Sequence, residues 1–233
     1  MNNNRLHFTI ILLILIGSSK MMNAQTSLGI KAGMNFSNVS MKNESGSYNS
    51  TQSIPGMQIG LTLEIPLLAN FYLQPAVLYL AKGFKQEDSW FANQGNEFKV
   101  KVSYLELPVN LLYKPELGIG NLFIGAGPYV GYGTGGKWEA ESDVLIGDIR
   151  IENHGDVIFN DDVMKGEFGN YLYGKPLDYG ASFLVGYELK NSLSLQFNFQ
   201  RGLADLQPDI NGVKGNGKLK NRSFEIAIGY RFK

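Results

Sequence analysis

Phe224-Glu225-Ile226-Ala227-Ile228-Gly229-Tyr230-Arg231-Phe232, at the C-terminal end of the chain, alternates without a break between large apolar residues and charged or small ones. Successive side chains of a β-strand point to opposite faces, so this stretch reads as a strand with one apolar face and one polar face. The same period of two recurs in seven segments upstream. Leu28, Ile30, Ala32, Met34 and Phe36 oppose Gly29, Lys31, Gly33 and Asn35, and Ile59, Leu61, Leu63 and Ile65 oppose Gln58, Gly60, Thr62 and Glu64. Phe71 to Tyr79, Tyr104 to Tyr113, Leu122 to Tyr132, Tyr179 to Leu189 and Leu193 to Gln200 complete the set. The fold class expected is all-β, with eight antiparallel strands.

The rest of the composition agrees. The 233 residues include 28 glycines and 12% aromatics, which suit strands, tight turns and membrane-interface rings. With 21 basic against 21 acidic residues the formal charge balances, so nothing overall points to a nucleic-acid partner. Cysteine is absent, which excludes a disulfide framework and thiolate metal sites. At the N-terminus Arg5 precedes an apolar run from Phe8 to Ile16, then Gly17, Ser18 and Ser19. This pattern reads as a secretory signal peptide, residues 1–24, cut after Ala24, with a single domain over 25–233. The apolar run is far shorter than the ~20 residues of a spanning helix.

Lipid and water place opposite demands on the two strand faces. A soluble sandwich packs its apolar faces together and leaves the polar ones in water, whereas a membrane barrel turns the apolar face to acyl chains and closes on itself so that no backbone group is left unpaired. Here the apolar faces are almost wholly Leu, Ile, Val, Phe and Tyr, with aromatics near strand ends, as an interfacial girdle requires. The strand count is even, and brief turns (66–70, 114–120, 190–192) alternate with long connections (37–55, 83–97, 134–175, 202–221). Short periplasmic turns and long extracellular loops are the asymmetry of an up-and-down outer-membrane β-barrel. Pro75, Pro108 and Pro128 fall inside strands, where a missing donor suggests bulges or rim positions.

Four short motifs add a family likeness: Leu28-Gly29-Ile30-Lys31-Ala32-Gly33-Met34-Asn35, Leu73-Gln74-Pro75, Tyr104-Leu105-Glu106-Leu107-Pro108 and Gly125-Ala126-Gly127-Pro128-Tyr129. In order and spacing the chain resembles the small outer-membrane β-barrel family of Bacteroidota-type bacteria, the PorT-like or porin-family proteins. The resemblance implies the fold and an outer-membrane address but no single activity, since the family shares none. The C-terminal segment is similar to the signal read by barrel-assembly machinery, with Glu225, Ala227, Tyr230 and Phe232 at its polar, small and apolar positions. It departs from that signal in having Ala227 for glycine and Lys233 after the final aromatic.

Chemistry-bearing residues are few. Of two histidines, His7 leaves with the signal peptide and His154 sits in the longest loop among Asp148, Glu152, Asp156, Asp161 and Asp162. Carboxylates suit hard cations, but this spacing lacks the order of a calcium loop and reads as a solvated acidic loop. Lys31, Glu64, Glu106, Glu188, Glu225 and Arg231 fall on the inner faces, where the narrow interior of eight strands favours a packed ionic network over a channel. Lys214, Lys218, Lys220 and Arg222 form a basic stretch that faces either solvent or lipopolysaccharide phosphates. The reading is a non-enzymatic barrel with no cofactor and no metal, acting in surface interaction or envelope integrity. Its partners are outer-membrane lipid, lipopolysaccharide and, during insertion, barrel-assembly machinery. A narrow pore or transport accessory, a lipid-modifying enzyme centred on His154 and a soluble secreted barrel remain as alternatives.

Overall fold

The computed structural model describes residues 26–42, 47–87, 97–141, 144–146, 149–151, 153–166 and 171–232. The expected signal peptide, Asp148, Glu152 and Lys233 lie outside them. In chain order the strands are β1 (Ser27–Lys42), β2 (Tyr48–Asn49), β3 (Gln52–Leu68), β4 (Phe71–Glu87), β5 (Glu97–Tyr113), β6 (Glu116–Leu117) and β7 (Gly120–Ala140). They continue with β8 (Val144–Ile146), β9 (Ile149–Ile151), β10 (His154–Phe159), β11 (Tyr171–Gly174), β12 (Leu177–Leu189), β13 (Leu193–Gly202) and β14 (Lys218–Arg231). A 3₁₀ turn, Val163–Lys165, interrupts the segment between β10 and β11.

Eight of these are long, and each pairs antiparallel with the next long strand in sequence: β1 with β3, β3 with β4, β4 with β5, β5 with β7, β7 with β12, β12 with β13 and β13 with β14. The last then pairs with the first, from Gly29 opposite Arg231 to Lys42 opposite Lys218, which closes the ring. The strands outnumber the eight read from the sequence because the sheet holds twelve. The additional members are short and sit at the two ends of the ring, while β8 and β9 form a separate pair.

Alternation sets the two faces as the sequence suggests. Leu105, Leu107, Val109, Leu111 and Tyr113 of β5 point outward and are exposed, while Tyr104, Glu106, Asn110 and Leu112 are buried inside. Phe183 and Tyr179 of β12, Leu195 and Phe199 of β13, and Phe224, Ile228 and Tyr230 of β14 continue the exposed apolar surface. Inside, glycines make room for rings: a methyl group on Gly186 would fall 2.3 Å from the Phe123 ring, and one on Gly133 2.3 Å from Phe159.

Two expectations about strand interiors change. Pro75, Pro108 and Pro128 do not sit at bulges: Pro75 stays opposite Val109, Pro108 opposite Tyr129 and Ala181 opposite Pro128, in unbroken register. Each lacks a donor but keeps extended backbone, so ladder rungs are missing beside Pro75 and Pro108 without a shift. Register shifts occur instead between Ser53 and Gln58, which brackets Pro55, between Pro66 and Leu68, and at Ser103/Tyr104, where Thr134 is the extra residue opposite. The strands also run further than expected. β1 reaches Lys42, β4 Glu87 and β7 Ala140, and β14 begins at Lys218, so much of what read as loop is sheet standing above the apolar band.

Candidate functional site

The ring encloses side chains arranged in levels, described from the end with the short turns. At that end Lys114, one residue beyond β5, donates to both oxygens of Glu64 (3.1 and 2.9 Å) and to Glu188 (2.8 Å). Arg231 completes the square, 2.6 Å from Glu188 and 3.8 Å from Glu64, and Gln74 donates to Glu64. Lys114 also lies 5.6 Å from the centroid of Tyr72. Two cations and two carboxylates therefore neutralise one another, as ions removed from water must.

The middle level is more loosely bonded. Lys31 stands 3.6 Å from Glu225, Asn198 donates to the same carboxylate, and Ser182 donates to Asn110. Gln58 is buried, yet neither of its side-chain polar atoms has a hydrogen-bond partner among the described residues.

The third level is the most enclosed. Lys82 of β4 lies 2.8 Å from Glu106 of β5 and 3.4 Å from Asp178 of β12, with side-chain exposures of 1% for the lysine and 0% for both acids. Gln200 donates to Glu106, and Asn221 and Tyr129 donate to Asp178. The ammonium also sits 4.9 Å from the centroid of Tyr129 and 5.3 Å from that of Tyr104, where the ring faces attract a cation. Six long strands, β4, β5, β7, β12, β13 and β14, contribute to this cluster of one ammonium and two acids.

Of the six charges assigned inward from the sequence, Lys31, Glu64, Glu106, Glu188 and Glu225 are buried, and Arg231 is partly exposed at the turn end. Lys82, Lys114 and Asp178 were missed. Each continues the inward parity of its strand beyond the last residue read as strand from the sequence, Tyr79, Tyr113 and Tyr179 in turn: Leu78, Leu80, Lys82; Asn110, Leu112, Lys114; Ser182, Gly180, Asp178.

Above Lys82 the lumen becomes apolar. Val39, Phe84, Phe98, Val100, Trp138 and Val157 form one buried cluster, partly roofed by β10 and β11, which pair parallel with each other and lean on the far end of β7. Asp162 clasps this roof to the segment before β14: its carboxylate accepts from the backbone N–H groups of Met164 (3.0 Å), Asn211 (3.0 Å) and Gly212 (2.7 Å).

The remaining sequence candidates separate. His154 is exposed on β10, its Nδ1 3.1 Å from Asn153 Oδ1. Asp156 is exposed on the same strand, and Asp162 serves the clasp rather than a group around His154. Lys214 pairs with Asp205 at 3.5 Å, whereas Arg222 is exposed on β14 directly opposite Arg201 of β13. In the C-terminal segment Glu225 and Ala227 point inward and are buried, and Tyr230 and Phe232 point outward, their rings 5.3 Å apart.

The chain belongs to the outer membrane protein beta-barrel domain family, whose model matches residues 23–207. Its address is accordingly the bacterial outer membrane. Among solved structures it is similar to Ail, the attachment invasion locus protein of Yersinia pestis (11% identity, TM-score 0.40, covering 89% of this chain and 99% of that one). It is also similar to Neisserial surface protein A (11%, 0.42, 89% and 99%) and to OprG of Pseudomonas aeruginosa (14%, 0.34, 90% and 97%). No curated protein sequence matches.

Proposed function

We propose that the protein is a non-enzymatic outer-membrane barrel of eight spanning strands whose lumen is closed to ions by its own side chains and whose working surface is the folded loop end. The observation that carries this reading is the Lys82–Glu106–Asp178 level, where an ammonium and two carboxylates occupy the lumen at 0–1% side-chain exposure. An eight-stranded barrel is just wide enough to be filled by side chains, and open channels use about twice as many strands. The brief turns 68–71, 113–120 and 189–193 share one end with both described termini, which supports a periplasmic position for that end and an external one for β10, β11 and the clasp.

Two partner assignments follow from the outer surface. Arg201 and Arg222 face each other one outward step above Phe199 and Phe224, at the edge of the apolar band. Like charges directly opposite are unfavourable unless an anion lies between them, which suits a lipopolysaccharide phosphate. Glu225, Ala227, Tyr230 and Phe232 remain the proposed signal for barrel-assembly machinery, with the outward Tyr230 and Phe232 as the side chains free to contact it.

A narrow pore or PorT-like transport accessory is the second reading, favoured by the unpartnered polar atoms of Gln58 in the middle level. Recordings of purified protein in planar bilayers separate the two. The closed barrel predicts no sustained single-channel openings, and steady openings would establish the pore instead.

A further inference from the structure

Toward the loop end the inward positions of four strands turn apolar. Inward positions pass from Lys82 to Phe84 on β4, from Tyr104 to Val102 on β5, from Ser37 to Val39 on β1 and from Asn221 to Leu219 on β14. In a barrel whose upper mouth meets water, an inward switch from polar to apolar side chains is the reverse of what hydration favours. The residues do not pack shut. With Phe159 and Leu172 above and Tyr104 and Asn221 below, they line a cavity of about 280 Å³. The space is partly open, and its walls are mainly apolar. It is about twice the ~150 Å³ apolar cavity known to hold benzene and just under the ~300 Å³ at which drug-sized pockets begin.

We infer that this loop-end chamber is a binding site for one neutral, compact apolar molecule, of the size of a one- or two-ring aromatic compound. Charge on the ligand is disfavoured because the nearby cations are already matched: Lys175 at the rim pairs with Asp209 at 2.8 Å, and Lys82 beneath the floor pairs with Glu106 and Asp178. Apolar walls around a small molecule give affinity through area removed from water. Asn49 and Gln86 stand at the border, so a single hydroxyl or carbonyl on the ligand is accommodated. The chamber ends at the Lys82 level, so the molecule is held at the outer end rather than passed through. That last point rests on the closed lumen proposed above, whereas binding itself does not.

The test is a titration of naphthalene into the whole protein in nanodiscs, with ¹³C-labelled Ile, Leu and Val methyl groups. The chamber predicts saturable ring-current shifts at Val39, Val100, Val102, Leu172 and Leu219. Methyl groups of the outer band, such as Leu107 and Leu195, should shift only in proportion to naphthalene dissolved in lipid. Val102→Trp, which fills the chamber, and Leu172→Trp, which fills it from the roof, should each remove the saturable response while leaving the outer-band spectrum unchanged. Wild-type shifts that never saturate, or that occur only in the outer band, overturn the inference, and that result stands even if both variants fail to fold. Channel openings in the bilayer recordings would refute the closed lumen without touching this result.

Discussion

At Lys82 an ammonium is held between Glu106 and Asp178 with almost no solvent contact, and its removal leaves two buried carboxylates facing each other. Breaking a buried ion pair from one side costs about 3–5 kcal/mol, whereas replacing the whole group with neutral residues costs far less. Lys82→Met should therefore lower unfolding stability in lipid vesicles by about that amount, and adding Glu106→Gln and Asp178→Asn should restore most of it. Lys85, three residues along and 28% exposed beside Glu97, provides the control. Lys85→Met should cost about 0–1 kcal/mol, the range of exposed pairs. Equal losses at the two lysines would contradict the burial argument. These charges also mark the limit of sequence reading at this scale. Period-two parity placed Glu106 inward because it lies deep in a strand, but Lys82, Lys114 and Asp178 stand just past positions taken as strand ends. Strand ends are decided by pairing partners far away in sequence, which no local pattern contains.

Among the elements, the long strands were legible because each presents one face to lipid and one to the lumen, and a one-residue slip would reverse every side chain. Pro75 and Pro108 lose rungs while register survives, since the neighbouring strands on both sides hold it. The upper lumen was not legible. Phe98, Val100 and Val102 precede the segment read as strand, and beyond the extra residue Thr134 the inward parity of β7 changes from odd to even, bringing Trp138 and Ala140 inside. The roof depends on parallel pairing of β10 with β11 and on Asp162, a residue that the sequence offered only as one acid in a loop. Hydrogen bonds to a charged group contribute roughly 1.5–3 kcal/mol each. Asp162→Ala should accordingly raise amide hydrogen exchange at Asn211 and Gly212 by at least about tenfold, with β12 to β14 unaffected. Unchanged protection at those two amides would show that the clasp does not hold the roof to its neighbour.

For the molecule as a whole, the outer surface carries the membrane assignment. The outward row of β5 runs from Leu105 to Tyr113, eight steps, or about 27 Å along the strand and about 20 Å upright at a tilt near 40°, close to the ~25 Å apolar band of such barrels. Tyr113, Tyr187 and Tyr230 stand toward its turn end, and Tyr79, Tyr132 and Tyr179 toward the other, as two aromatic girdles would. Arg201 and Arg222 follow just above the band. Replacing both with Gln should abolish any gain in thermal stability that lipopolysaccharide gives over phospholipid vesicles, measured by heat-modifiable gel mobility. Retention of the full gain would remove this pair from the lipid contact. The central claim is the assignment of faces, and the absence of cysteine makes it directly measurable, because one introduced cysteine carries one spin label. Labels at Leu107, Phe183 and Ile226 should be highly accessible to lipid-soluble oxygen and shielded from a water-soluble nickel relaxation agent, while labels at Gln74 and Ser182 should be shielded from both. Outward labels exposed to the nickel agent, or shielded from oxygen within protein, would contradict it.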